Sequence, residues 1–146
     1  MIALILSLIS TPAFAGGGVY MSLEKVTTLV RCNNGQVKFQ EELWDYGDDG
    51  YDNQWALVVN YKGQKEVFRV HDKAELLSAK GSKVSLVSNY ERKNGDGTVT
   101  DVGAYLDTDL TFDGSAGTIS AWEYKSDGSK GAAIIDSLAV KDCYLE

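Results

Sequence analysis

Ala104-Tyr105-Leu106-Asp107-Thr108-Asp109-Leu110-Thr111-Phe112 is the stretch that decides the fold of this 146-residue chain. Its residues alternate one by one, with Ala, Leu, Thr, Leu and Phe on one side and Tyr, Asp, Asp and Thr on the other. Because successive side chains of a β-strand point to opposite faces, period two predicts a strand with one buried face. The same alternation recurs at Val37/Phe39, at 55–61 and at Val84/Leu86. The sequence therefore predicts an all-β fold.

Clusters of Gly, Asp and Asn separate these runs and are typical of hairpin turns. Their spacing predicts a single antiparallel up-and-down meander of about eight strands. The predicted strands lie near 19–32, 36–46, 54–61, 64–71, 82–93, 98–112, 117–125 and 132–145. Residues 72–80 form the one segment with helix formers and an acidic start, and they are predicted to be a short helix.

The two cysteines, Cys32 and Cys143, lie in the first and last predicted strands. An even number of cysteines in an oxidising compartment favours a disulfide between them. Such a bond brings the ends of the sheet together, so we predict a closed or nearly closed barrel, with a two-sheet β-sandwich as the alternative. The chain has no Cys-x-x-Cys spacing and a single histidine, His71, and it therefore gives no indication of a zinc site.

Residues 1–15 have the apolar core and the Ala13-Phe14-Ala15 ending of a secretory signal peptide. No Lys or Arg follows Met1, so we expect this peptide to be truncated at its N-terminus. Residues 16–146 then form a single β domain, and the protein is expected to be secreted or periplasmic. The sequence contains no Asn-x-Ser/Thr glycosylation site, which favours a bacterial protein.

The chain is acidic, with a net charge of −7 at pH 7. Proteins that bind nucleic acid gain most of their affinity by neutralising phosphates with basic residues. The charge therefore disfavours nucleic acid as a partner and leaves a small ligand or another protein.

Residues 44–55 hold the densest group of potential ligand-binding side chains. Aromatic rings beside polar groups suit a sugar or another small ligand, and the candidate residues are Trp44, Tyr46, Tyr51 and Trp55. Carboxylates are the oxygen ligands that Ca²⁺ prefers, and the candidate calcium ligands are Asp45, Asp48, Asp49 and Asp52. No other cofactor is predicted. The alternative is an ordinary hairpin loop, since Asp and Gly are common turn residues.

No residue is assigned a catalytic role, because the chain has no Gly-x-Ser-x-Gly motif and no indication of a Ser-His-Asp triad. The sequence shows no resemblance to a named family. We therefore favour a non-catalytic binding protein for a small ligand or a partner protein. A small hydrolase that uses carboxylates such as Asp107 and Asp109 is the first alternative. An eight-stranded outer-membrane barrel is the second, although charges on both faces of several strands disfavour membrane insertion.

Overall fold

The computed structural model describes residues 21–77, 84–110 and 116–146. The strands in these ranges are β1 (Ser22–Cys32), β2 (Val37–Asp45), β3 (Tyr51–Tyr61), β4 (Gln64–Val70), β5 (Val84–Lys93), β6 (Val99–Thr108), β7 (Gly117–Tyr124), β8 (Lys130–Val140) and β9 (Tyr144–Leu145). One α-helix, α1, spans Lys73–Leu77, and 3₁₀ turns occupy Asn33–Gly35 and Gly47–Asp49. The predicted signal peptide, residues 1–15, lies outside the described residues.

All nine strands belong to one antiparallel sheet with the order β8-β7-β6-β5-β4-β3-β2-β1-β9. Because neighbours in the sheet follow one another along the chain from β1 to β8, the predicted all-β meander is confirmed. The ninth strand arises because the predicted strand 132–145 divides in two. Residues 141–143 leave the sheet, with Asp142 in the left-handed region at φ 55°, and β9 returns to pair with β1.

The sheet is not closed, so the predicted barrel is not confirmed. Within the described ranges, β8 and β1 share no ladder of paired residues. Instead, β8 passes close to the ends of two other strands. The backbone N–H of Asp136 donates to the hydroxyl of Tyr61 at the end of β3 (3.3 Å). The N–H of Lys141, just after β8, donates to Oδ1 of Asn33, just after β1 (2.9 Å).

Cys32 and Cys143 form the predicted disulfide, with Cα atoms 4.1 Å apart and a sequence separation of 111 residues. Both cysteines are fully buried. The bond holds the C-terminal residues against β1, where Leu145 pairs with Val30. A disulfide of this kind is compatible with an extracellular location.

One face of the sheet covers a single main core to which strands β1 to β8 all contribute. Phe39, Leu57 and Phe68 lie on this core face, and each is at most 1% exposed. They lie directly opposite one another across β2, β3 and β4. The next core residues, Val37, Val59 and Val70, are two positions away in each strand, as period two requires. We call the opposite side of the sheet the outer face.

The helix α1 begins at a capping box. Oδ1 of Asp72 accepts a hydrogen bond from the N–H of Ala74 (3.0 Å), while Oε1 of Glu75 accepts one from the N–H of Asp72 (2.8 Å). Leu76 then reaches the main core and is fully buried. The predicted helix over 72–80 is confirmed for Lys73–Leu77, and residues 78–80 lie outside the description. No helix in the described ranges has the length and apolar character needed to cross a membrane.

A buried tyrosine on the core face predicts loss of stability in alkali. Tyr90 is 7% exposed and donates a hydrogen bond to Oε1 of Glu66 (2.9 Å). Burial raises the pKa of Tyr90, and the hydrogen bond and charge of Glu66 raise it further. Because the folded state keeps the neutral phenol, this contribution to stability is intact below about pH 10, where an unfolded tyrosine titrates, and is lost above it.

We therefore expect the free energy of unfolding to fall above pH 10 by up to about 1.4 kcal/mol per pH unit from this group. Urea unfolding between pH 9 and 12 measures the slope, and Tyr90→Phe should make it shallower. An identical slope in the two proteins would mean that groups other than Tyr90 cause the alkaline unfolding.

Candidate ligand-binding cleft

The acidic loop between β2 and β3 is a compact hairpin connection. Oδ1 of Asp45 accepts a hydrogen bond from the N–H of Gly47 (2.8 Å), and the N–H of Tyr46 donates to the carbonyl of Gly50 (2.8 Å). Gly50 has φ 84°, a conformation that a side chain would strain. These are the contacts of an ordinary Asx-type turn, which was the alternative interpretation of this loop.

The four candidate calcium ligands do not form a recognisable metal site. Asp48 and Asp49 are exposed on the 3₁₀ turn, and Asp45 is engaged with the backbone of Gly47. Among the described residues, no three His, Cys, Asp or Glu side chains are grouped so that they could hold a metal ion. Calcium binding by this loop remains a prediction.

The four candidate aromatic residues do not form one surface. Trp44 lies on the outer face, where its Nε1 donates to Oε1 of Glu42 (3.1 Å). The hydroxyl of Tyr46 accepts a hydrogen bond from Nε2 of Gln54 (2.7 Å). Burial, followed by the charge of Asp52, raises the pKa of Tyr46, which keeps its phenol neutral. Trp44 and Tyr46 are thus engaged in local contacts.

Tyr51 and Trp55, in contrast, line one cleft where β4 and β5 separate. These two strands share only the pairs Phe68↔Tyr90 and Arg69↔Asn89. Beyond Arg69 the chain continues through Val70 and His71 and turns into α1. The separated strands leave a cleft of about 690 Å³, lined by residues 51–55 of β3, 69–71 at the end of β4 and 87–89 of β5.

The walls of the cleft combine an aromatic ring with neutral polar groups. Val70 and Val87 supply apolar surface, while Asn53, Gln54 and Asn89 supply side-chain amides. Each amide offers two donors and an acceptor. Trp55 has a buried indole N–H with no hydrogen-bond partner in the part of the chain that the structure describes.

Arg69 is the strongest cation in the lining, but its charge is already compensated. Its Nη2 lies 3.0 Å from Oε1 of Glu42, and its Nη1 pairs with Oε2 of Glu91. The Glu42 side chain is 4% exposed, and its Oε2 accepts a further hydrogen bond from Nε2 of Gln40 (2.8 Å). Because two carboxylates surround one guanidinium, the cleft has no net positive charge from this group to attract an anion.

Tyr51, Asp52 and Trp55 of this cleft are among the residues predicted from the sequence, whereas Arg69, His71 and Asn89 are not. A signal for the position does exist in the sequence. The capping pair Asp72 and Glu75 marks the point where the chain leaves the sheet after β4. A strand that ends beside a longer neighbour leaves part of that neighbour unpaired.

The candidate hydrolytic carboxylates, Asp107 and Asp109, line a separate and smaller cavity of about 240 Å³. Oδ2 of Asp107 lies 3.4 Å from Nζ of Lys130. Oδ1 of Asp109 accepts hydrogen bonds from the backbone N–H and the hydroxyl of Thr118. Both side chains therefore have contacts that stabilise the β6 to β8 region.

Comparisons of the chain with protein-family models, with curated proteins and with solved structures give no match.

Proposed function

We propose that this protein is a non-catalytic binding protein, secreted or periplasmic, that holds a small neutral ligand in the cleft between β4 and β5. The observation that carries the proposal is the cleft itself, which opens where two strands separate and is lined by an indole ring and side-chain amides. Concave sites with apolar walls and a few convergent polar groups are typical of small-molecule binding. The disulfide and the signal-peptide pattern of residues 1–15 support a location outside the cytosol.

The lining favours a hydroxyl-rich, uncharged ligand such as a monosaccharide or disaccharide. Side-chain amides both donate to and accept from hydroxyl groups, and an indole packs well against the apolar face of a sugar ring. Anions are disfavoured because Arg69 is compensated by Glu42 and Glu91, while Asp52 and the net charge of −7 repel them.

We also infer that the sheet rolls into a nearly closed barrel that supports the cleft. Its support is the single core shared by β1 to β8 and the contacts of β8 with the ends of β3 and β1. A rolled sheet holds the strands on either side of the cleft in place, so no loop has to become ordered when a ligand binds.

The two alternative functions have less support. A carboxylate hydrolase would need Asp107 and Asp109 free for chemistry, whereas both have structural partners. An outer-membrane barrel carries apolar side chains toward lipid. Here the fully buried large side chains, such as Phe39, Leu57 and Phe68, face the core, and the outer face holds the Glu42, Arg69 and Glu91 group.

A titration of the ¹⁵N-labelled domain, residues 16–146, with a panel of neutral monosaccharides and disaccharides tests the proposal. The chain has three tryptophans, and Trp55→Phe identifies the indole signal of Trp55. We expect a binding sugar to shift this signal saturably and to leave those of Trp44 and Trp122 in place. The proposal is wrong if no neutral sugar causes a saturable shift or if the shifts concentrate on another surface.

Asn89→Ala should weaken the binding of the same sugar about tenfold, the loss expected from one hydrogen bond of about 1 kcal/mol or slightly more. Asn60→Ala is the matched control. Asn60 is also an exposed strand asparagine, but it lies outside the cleft. Within the described residues, Asn60 is hydrogen-bonded through its backbone N–H and carbonyl, both to Gln36. Equal loss of affinity in both variants would contradict the placement of the site.

A further inference from the structure

The first half of β1 forms an open edge of the sheet. On one side, Ser22–Cys32 pairs with β2 along its whole length. On the other side, β9 pairs only with Val30 and Arg31, and the N–H of Glu146 donates to the carbonyl of Leu29. Within the described ranges, residues 22–28 therefore have a strand on one side only. Backbone N–H and C=O groups along such an edge are a template for another strand.

The side chains of this edge are unusually exposed and apolar for a sheet border. Leu23 is 44% exposed and Val26 is 46% exposed. A bulge between Leu23 and Lys25 places both apolar side chains on the outer face, because Leu23 pairs with Trp44 and Val26 with Glu42. Between them stand one acidic and one basic residue, Glu24 and Lys25, which are also exposed.

We propose that the occupant of this edge is a second copy of the chain, bound through an antiparallel β1–β1 pairing about a two-fold axis. A two-fold interface must be complementary to itself. If the axis passes between Glu24 and Lys25, each Glu24 faces Lys25 of the other copy, and each Leu23 faces Val26. The pairing thus joins two opposite-charge pairs and two apolar pairs on matching faces.

Only six residues of each chain pair, so the buried area is small and lies well below the roughly 1,200 Å² that a stable complex buries. The dimer is therefore weak, and its population depends on concentration. Sedimentation velocity of residues 16–146 over a wide concentration range measures it. We expect the average mass to rise from that of the monomer toward twice that value.

Variants that reverse the charges of Glu24 and Lys25 distinguish this pairing from any other mode of association. Lys25→Glu alone, or Glu24→Lys alone, places like charges opposite each other twice, and either variant should stay monomeric at concentrations where the natural chain dimerises. The double variant Glu24→Lys with Lys25→Glu restores opposite charges and should restore the dimer. Lys65→Glu makes the same change of charge on the exposed part of β4 and should have no effect.

All these side chains are exposed, so thermal unfolding should confirm that each variant keeps its fold. The proposal is overturned if the natural chain stays monomeric over the whole concentration range. It is also overturned if Lys25→Glu dimerises normally, or if the double variant fails to recover the association. A dimer that survives every charge variant would use a different surface.

Discussion

Removal of the disulfide by Cys32→Ala with Cys143→Ala should lower the free energy of unfolding by about 4–5 kcal/mol. A cross-link restricts the unfolded chain in proportion to the logarithm of the loop that it closes. The loop here spans 111 residues, which places this bond near the upper end of the usual range. Because domains of this size are stable by only about 5–15 kcal/mol, the variant should be close to unfolding.

Urea unfolding of the oxidised protein, the reduced protein and the double alanine variant measures this loss. The reduced protein is the control for packing, because it keeps both buried sulfur atoms and lacks only the bond. Reduced and alanine forms should agree within about 1 kcal/mol, since the alanines remove little more than two sulfur atoms. A loss below about 1 kcal/mol in the reduced protein would contradict the loop-closure argument, because it would mean that the unfolded chain is already restricted without the bond.

The positions of the strands could be predicted because period two is a local property of the chain. The alternation over 104–112 predicted β6, which ends at Thr108. Asp109 still contacts Thr118 of β7, through its backbone N–H and through its side chain, which accepts a hydrogen bond from the N–H of Thr118. Residues 111 and 112 lie outside the described residues. Periodicity also assigns Trp44 to the face opposite Phe39 and Trp55 to the face of Leu57. Alternation thus separates Trp44 from Trp55, and a binding role for the four candidate aromatics stays a prediction.

The cleft could not be located in this way, because it depends on how far two strands pair. β4 and β5 are separated in sequence by α1 and residues 78–83, and alternation does not state where their pairing ends. The structure limits it to Phe68↔Tyr90 and Arg69↔Asn89. The end of the paired region creates the cleft, and it is a property of contacts between distant residues.

The burial of the charged Glu42 on the outer face could not be predicted from hydrophobic alternation either. In β2, Glu42 stands at a polar position, and alternation predicts a solvated side chain there. It is instead 3% exposed, because Arg69, Trp44 and Gln40 close over it. Ala56 pairs with Gln40 and with Arg69 on the same face, and it forms a second buried cluster with Val58 and Val67. This burial depends on the residues of neighbouring strands, and the sequence of one strand does not show which residues those are.

Arg69→Met should therefore destabilise the protein by about 3 kcal/mol. The change keeps the apolar stem and removes the cation that pairs with Glu42 and Glu91. A buried carboxylate without its partner costs several kcal/mol, whereas an exposed pair contributes about 1 kcal/mol or less. The value lies at the lower end for a buried pair because Glu42 keeps its hydrogen bonds from Trp44 and Gln40.

A double-mutant cycle shows whether Glu42 is the source of this loss. Glu42→Gln with Arg69→Met removes both charges and should recover most of the stability lost in Arg69→Met, as measured by urea unfolding at neutral pH. Glu91→Gln is the contrasting variant, because the Glu91 side chain is 28% exposed and that of Glu42 only 4%. It should cost less than about 1 kcal/mol. If Glu91→Gln and Arg69→Met are equally destabilising, the exposed carboxylate supports the guanidinium and the buried one contributes little. If Glu42→Gln fails to rescue Arg69→Met, the arginine stabilises the sheet by covering Ala56 and Val58 rather than by its charge.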